Sequence, residues 1–390
     1  MTALRAHIAS RVAEIDADAW DACFPGEAEN HAYYTACETA ALASGAELVT
    51  SAASVERDGE TIAVAPFFLI DYRLDTPLQG PLRALGDYLF RHARKLVSLR
   101  VLCIGSPYAE RCHAGLSPQL DEQARRQARL ALREAIDAHG RDEGVHVIAW
   151  KDLAPDDAEA FQDMLKEEGF IRLGSLPVAV LDLPFQSEAD YLATLSAATR
   201  KDIRRKLAKA GDVRIEMRHS IADIEAEIVA LYESTRARSG LDYGDLEKLP
   251  PGYFSEIAAA LGERALFVLY WVGTTLAAFN LLLIERERVI DKFLGMRYPL
   301  ARQHNLYALS WMTNVRYCLG HGISRLQSGQ TAYASKLRFG SRLVPSVIFF
   351  RHRQGVLNWA LRSISPYIAF DRLDPDLKAH RLQQHAQVSP

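Results

Sequence analysis

Asp291 and Lys292 stand side by side inside VIDKFLGM (Val289–Met296), an otherwise apolar run of strand character. A charge in a central strand is costly to bury unless it is paired. Alternation sends neighbouring strand side chains to opposite faces. Asp291 is therefore read as a general base or substrate anchor, with a structural ion pair as the competing explanation. Asn280 interrupts a second apolar run, LAAFNLLLI, and a buried amide must be hydrogen-bonded, to a substrate or across the sheet. Ser328, Gln330 and Tyr333 gather where the run ISRLQSG gives way to the next helix, and offer hydroxyl, amide and phenol donors there. Ordinary loop capping uses Ser and Gly in the same way. Arg236 and Arg238 lie with Tyr243 in STRARSGLDYG. Two arginines suit an anionic acceptor, because guanidinium matches carboxylate or phosphate.

Arg200, Lys201, Arg204, Arg205, Lys206 and Lys209 make one helix strongly basic, although Asp202 sits among them. Such a helix either contacts nucleic-acid phosphates or is a solvated face. His304 precedes a helix starting near Asn305, where it would sit over a phosphate group or act as a base. The 12 histidines are scattered without an H-E-x-x-H pair, so no metal site is expected. No G-x-S-x-G, Walker loop or G-x-G-x-x-G occurs. The five cysteines are odd in number and lack C-x-x-C spacing, which fits a reduced, cytoplasmic setting, and Cys103 and Cys112 are read as packing residues. The net charge of −3 provides no global pull toward DNA or lipid. No apolar stretch is long enough to span a membrane, and the first twenty residues lack a secretory h-region.

The elements that must position these groups come twice. One order runs from about Arg5 to Pro184 and returns from Pro184 to Arg351. Each copy has a hairpin, a strand, a long helix, a strand, a short helix and a final strand. In the first copy, Asp58-Gly59 is the hairpin turn, and a helix runs from Pro118 to about His139, capped by Ser117 and ended by Gly140. VAVLDLP (Val178–Pro184) is its last strand. In the second, one helix starts at the Ser187 cap and ends at Gly211. A hairpin turns near Gly273, an amphipathic helix spans Asn305–Leu319, and LVPSVIFF is the closing strand. The polar last fifteen residues read as a mobile tail.

Paired helices, hairpin, strand, helix, strand, helix and strand is the element order of the GNAT N-acyltransferases. Two such units in one chain resemble the FemAB/FemX-type transferases and their BioF2-like relatives. The resemblance covers roughly residues 5–351. It rests on element order, on the basic helix TRKDIRRKLAKAG, and on KLRFG (Lys336–Gly340), which is similar to the Fem-type K-x-x-F-G. One departure stands out. The GNAT pyrophosphate loop has a glycine at its fourth position, whereas the corresponding place reads Gln303-His-Asn-Leu306-Tyr-Ala308. Glycine there lets backbone N–H groups approach phosphate.

The resemblance implies an α/β (α+β) chain of two tandem GNAT-like domains, residues 1–184 and 185–353; a helical and polar tail of 354–390 follows, in which GVLNWALRSISPYIAF reads as an amphipathic helix interrupted at Pro366. Each would carry a mixed, mostly antiparallel sheet whose fourth and fifth strands splay apart. It implies N-acyl transfer by direct attack of an amine on an activated acyl carbon, in a cleft between the domains. Lys336 would neutralise charge on the donor or the tetrahedral intermediate, with Tyr333 and Asp291 beside it. His304, Asn305, Gln330 and Arg338 would hold the donor; Arg236, Arg238, Tyr243, Asn280 and Ser328 would hold the acceptor. The co-substrate would be an acyl-CoA, an acyl-carrier protein or an aminoacyl-tRNA. The acceptor would be a small-molecule or peptide-like amine. A binding module that keeps the fold without catalysis is the competing class.

Overall fold

The computed structural model of the chain describes residues 4–46, 48–73, 98–239, 248–367 and 374–388. The described residues divide into two compact units. The first is drawn from Met1–Leu176, Asp242–Pro251 and Pro345–Asp374, the second from Pro177–Leu241, Gly252–Val344 and Pro375–Pro390.

The first unit opens with β1 (Leu4–Ala9), α1 (Ala17–Ala22) and α2 (His31–Ala43). A hairpin follows, β2 (Thr50–Arg57) and β3 (Glu60–Arg73). Its turn residues Asp58 and Gly59 have φ of 57° and 85°, the left-handed pair that a two-residue hairpin turn demands. Then come β4 (Ser98–Ile104), β5 (Gly115–Leu116), α3 (Glu122–Asp142), β6 (Val147–Leu153), α4 (Pro155–Glu167) and β7 (Ile171–Gly174). α3 begins four residues later than its Pro118 signal suggests. Asp121, not Ser117, caps it, accepting from the Ala124 amide at 2.8 Å. Nor does Gly140 end it; the helix runs to Asp142. Apolar faces of these elements meet in one core that includes Phe67, Leu102, Leu132, Trp150 and Phe161.

The second unit contains β8 (Val178–Asp182), α5 (Glu188–Thr194), α6 (Ala197–Lys209), β9 (Val213–Arg218), α7 (Glu225–Ser239) and α8 (Tyr253–Leu261). It continues with β10 (Ala265–Val272), β11 (Thr275–Ile284), β12 (Arg288–Met296), α9 (Leu300–Gln303), α10 (Leu306–Gly320), β13 (Arg325–Ser328), α11 (Tyr333–Arg338) and β14 (Arg342–Val344). The single helix expected from Ser187 to Gly211 is two, because Ser196 caps a second start by accepting from the Thr199 amide at 3.2 Å. α10 is buried nearly all round rather than along one stripe; Leu306, Met312, Asn314, Val315 and Cys318 are all inaccessible.

The two sheets share one plan. The first runs β1-β2-β3-β4-β6-β15-β7, with β15 being Val347–His352; the second runs β9-β10-β11-β12-β13-β8-β14. Each is antiparallel except for one central pair, β4 with β6 and β12 with β13. The sixth position in each sheet holds a correction to the sequence reading. β8, expected to close the first copy, pairs with β13 and β14 in the second sheet. The run LVPSVIFF is two strands, not one. Before Pro345 it pairs as β14 with β8; after it, as β15 with β6 and β7 in the first sheet. Proline lacks the N–H that would continue the ladder, so the break falls there.

The helix expected after Arg353 is present, and the last fifteen residues, read as mobile, are helical as far as Val388. α12 (Gly355–Ile364) packs on β15, and α13 (Pro375–Val388) packs on α11, where the Asp376 carboxylate accepts from the Ala334 amide at 3.0 Å.

Candidate active site

β12 and β13 pair in parallel only over Arg288–Asp291 against Arg325–Ser328. Beyond that point β12 stays on β11 as far as Met296, while the chain after Ser328 turns toward α11. The sheet therefore opens at Asp291 and Ser328. A register shift against β11 between Leu281 and Leu282 leaves Lys292 as an extra, unmatched residue of β12. Such a bulge bends a strand and re-aims its side chains. Its effect is visible two residues apart. Asp291 reaches Asn314 of α10, whereas the Phe293 ring meets Tyr232, Tyr253 and Phe254 of α7 and α8. Simple alternation, which would put Asp291 and Phe293 on one face, is interrupted here.

Gly295 is required on the same strand. A Cβ would fall 2.2 Å from the Phe279 ring and 2.8 Å from the Tyr232 backbone nitrogen. Only glycine lets α7 come this close to β12. The Thr235 hydroxyl accepts from the Met296 amide at 2.8 Å alongside.

Asp291 is held from two sides. Asn280 Nδ2 donates to one carboxylate oxygen at 2.8 Å, and Asn314 Nδ2 donates to the other at 3.1 Å. Both asparagines are fully buried. Burial, and then the charge of Asp291, pushes the Tyr270 and Tyr307 phenols above their ordinary range. The same two causes push the Cys318 thiol up to about 12. Several buried polar atoms around this carboxylate lack a hydrogen-bond partner: Asn280 Oδ1, Asn314 Oδ1, Tyr307 Oη and Ser328 Oγ. Buried polar groups are ordinarily satisfied, so this cluster stands out in the core. Lys336, 6% exposed, donates its ammonium to the Gly329 carbonyl, one residue beyond the point where the strands part.

The structure thus brings Asp291, Asn280, Ser328 and Lys336 to one opening, with Gln330 next in the chain after Gly329. The other expected site residues stand elsewhere in the second unit. Tyr333 is fully buried and donates its phenol to the Pro177 carbonyl at 2.8 Å. Arg338 donates to Asp202 of the basic helix at 2.7 Å. Arg205 and Lys206 meet the same carboxylate, and these three donors hold it well below the usual range, Lys206 and Arg205 first. His304 and Asn305 form the entrance to α10; Asn305 has φ of 50° and makes no side-chain cap, and His304 Nδ1 is buried without a partner. Arg236 pairs with Glu233 one turn earlier at 2.6 Å. Arg238 lies over the Tyr298 ring, 4.4 Å from its centre. Tyr243 lies outside the described residues.

Asn314, Tyr270 and Tyr307 are the members that sequence reasoning missed. The one available signal was an amide in the middle of the apolar helix run LYALSWMTNVRYCLG. A buried asparagine there needs a partner, and the partner is Asp291. Among the described residues no helix is long and apolar enough to cross a membrane.

Comparison with known proteins places this geometry in context. A FemAB-like family model, described as peptidoglycan biosynthesis/recognition, matches residues 112–369. A putative 8-amino-7-oxononanoate synthase 2 from Mycobacterium tuberculosis is 22% identical over 227 residues, 57% of this chain. That match spans only 29% of the relative's own length. The crystal structure of FemX is similar with a TM-score of 0.57 at 14% identity, covering 89% of this chain and 98% of that one. A tandem GNAT protein from the clavulanic acid biosynthesis pathway has a TM-score of 0.49 at 13% identity, covering 90% and 98%. At these identities the likeness to solved structures is one of fold.

Proposed function

We propose that this chain, which belongs to the FemAB-like family, is an acyltransferase whose second unit carries the transfer chemistry at the opening between β12 and β13. The reaction moves an acyl or aminoacyl group from an activated donor to the amine of a small-molecule or peptide-like acceptor. A peptidoglycan precursor is the acceptor that best suits the family's description. The observation that carries the reading is the end of strand pairing at Asp291 and Ser328, with both oxygens of Asp291 held by amides.

The steps follow from the groups present. The acceptor amine enters as an ammonium and meets the partly exposed Asp291 carboxylate, which Asn280 and Asn314 hold from behind. Asp291 takes the proton, directly or through one water, and frees the nitrogen lone pair. The nitrogen attacks the acyl carbon and forms a tetrahedral intermediate. The Lys336 ammonium and the Ser328 hydroxyl stabilise the oxyanion in a site largely closed to water. Collapse forms the amide and breaks the bond to the donor's sulfur or ribose oxygen; the nitrogen's surplus proton passes to that leaving group, which departs as thiol or hydroxyl, and Asp291 returns its own proton to solvent, without a covalent enzyme intermediate. Tyr333 acts as a positioning residue, since its phenol anchors the start of β8.

For the donor, an acyl-CoA, an acyl-carrier protein and an aminoacyl-tRNA are distinct possibilities with one discriminating feature. The α10 entrance carries His304 and Asn305 where a glycine loop would cradle a pyrophosphate, which favours a donor held by other contacts. The acyl-carrier and aminoacyl-tRNA routes fit this better than tight coenzyme binding. The test is transfer of labelled acyl or aminoacyl groups to a panel of amines from each donor, with wild type and Asp291→Asn. Turnover with one donor that falls sharply in the variant supports the reading. Equal turnover in both proteins removes Asp291 from it. Donor binding without turnover favours a non-catalytic module.

A further inference from the structure

α12 (Gly355–Ile364) turns its polar side toward the first unit. Asn358 accepts from the His352 amide and donates to the Gly169 carbonyl, each at 3.0 Å. Arg362, one turn later, donates to the same carbonyl at 3.1 Å. Residues four apart share a face of a helix, and residues two apart point nearly opposite ways. Val356, Ala360 and Ile364 therefore lie on the outer side, flanked by Leu357 and Trp359. The exposures agree: Val356 is 80% exposed, Trp359 70%, Ile364 49% and Leu357 45%. Together they present on the order of 450 Å² of apolar surface. Ser363 is the one hydroxyl on this outer arc, and it donates back to the Trp359 carbonyl at 3.3 Å. Single apolar residues on a surface are ordinary; a contiguous row marks a docking face.

The character of this face decides its occupant. A specific protein partner would bury about 800 Å² on each side and make about one hydrogen bond per 100–200 Å². The outer arc of α12 is smaller, and its one hydroxyl is already spent. A lipid surface asks for neither area nor hydrogen bonds, since an interfacial helix lies flat with its apolar side in the boundary between headgroups and acyl chains. Charge points the same way. Residues 345–367 hold three arginines and no carboxylate. Arg351 and Arg353 are answered by Asp137 and Glu168. Among the described residues Arg362 bonds only the Gly169 carbonyl, and it keeps its charge on the flank that carries Trp359. We propose that α12 docks the first unit onto a bilayer surface containing anionic phospholipid, with Val356, Leu357, Trp359 and Ile364 at the headgroup–acyl boundary and Arg362 level with the phosphates. The face belongs to the first unit alone, so the proposal does not rest on the transfer chemistry.

The experiment is co-sedimentation of the full chain with phosphatidylcholine vesicles, made with and without phosphatidylglycerol, alongside sedimentation velocity of the protein alone. The wild type is expected to bind the phosphatidylglycerol vesicles, and to bind those of phosphatidylcholine alone more weakly. Val356→Ser combined with Trp359→Ser is expected to lower the partition roughly ten-fold or more. Both side chains are exposed, so the melting temperature of that variant should stay unchanged. Arg362→Gln is expected to weaken binding to the anionic vesicles only. Asp291→Asn is expected to bind vesicles as wild type does, so docking and transfer fail or stand separately. The proposal is overturned by absent binding to the phosphatidylglycerol vesicles, by equal binding to both kinds, or by binding unchanged in the double variant. A wild-type dimer that the double variant dissolves also overturns it, because the face would then belong to a second copy.

Discussion

Asp291 shows how little of a residue's role lies in its own type. A carboxylate in an apolar strand is read equally as a base or as half of a structural pair. The role proposed for it rests on the company it keeps: two buried amides as donors, and one phenol and two amide oxygens left without partners. Asp291→Asn keeps the shape and removes the base, so kcat should fall by about 10²–10⁴ with the melting temperature nearly unchanged. Lys336→Ala should lower kcat by about 10²–10³, with a smaller effect on acceptor KM, because oxyanion stabilisation belongs to the transition state. Steady-state kinetics on both variants checks these values. A third residue-scale prediction concerns Glu38 of α2. Burial pushes its carboxyl up to about 7, against the opposing pull of the Val12 and Ala13 amides. A raised carboxyl favours the protonated folded state. Its contribution is full below about 4.5 and is lost as pH rises through about 7. Melting curves across that window should show falling stability, and Glu38→Gln should flatten the dependence.

At the scale of elements, small local features overrode clear sequence signals. Pro118 and Ser117 marked a helix start, yet Asp121 supplied the cap, because residues 117–120 are spent on a turn closed by the Leu120 amide and the Ser117 carbonyl at 3.3 Å. The bulge at Lys292 could not be read from VIDKFLGM, since it depends on register against β11. It does, however, decide where Asp291 points. Gly295 sits just beyond it and admits the α7 backbone. Gly295→Ala should cost about 1–3 kcal/mol through overpacking against Phe279 and Tyr232. Denaturant melts would report that cost, and lost activity beyond the loss of stability would show that α7 and β12 must meet closely for the site to form.

For the whole molecule, the decisive fact is where the sixth strand of each sheet comes from. β15 lies between β6 and β7 in the first sheet, and β8 lies between β13 and β14 in the second. A chain ending at Leu176 would lack β15 and leave β6 and β7 as unpaired edges. It should aggregate or remain unfolded by circular dichroism and gel filtration. Joining residues 345–374 to its end should restore a folded first unit; a well-folded 1–176 fragment would count against an essential β15. Much of this architecture was legible beforehand. The amino-acid order alone determined the duplicated pattern, the hairpin turns at Gly59 and Gly273, the strand holding Asp291 and the short helix holding Lys336, because periodicity and turn chemistry are local properties. Only the tertiary structure decided that LVPSVIFF divides at Pro345 between two sheets, that Asn314 closes on Asp291, and that the parallel pairing stops at Ser328. Those outcomes rest on contacts between residues far apart in the chain. Strand pairing is selected by the whole sheet, and no local pattern encodes which distant edge a strand will meet.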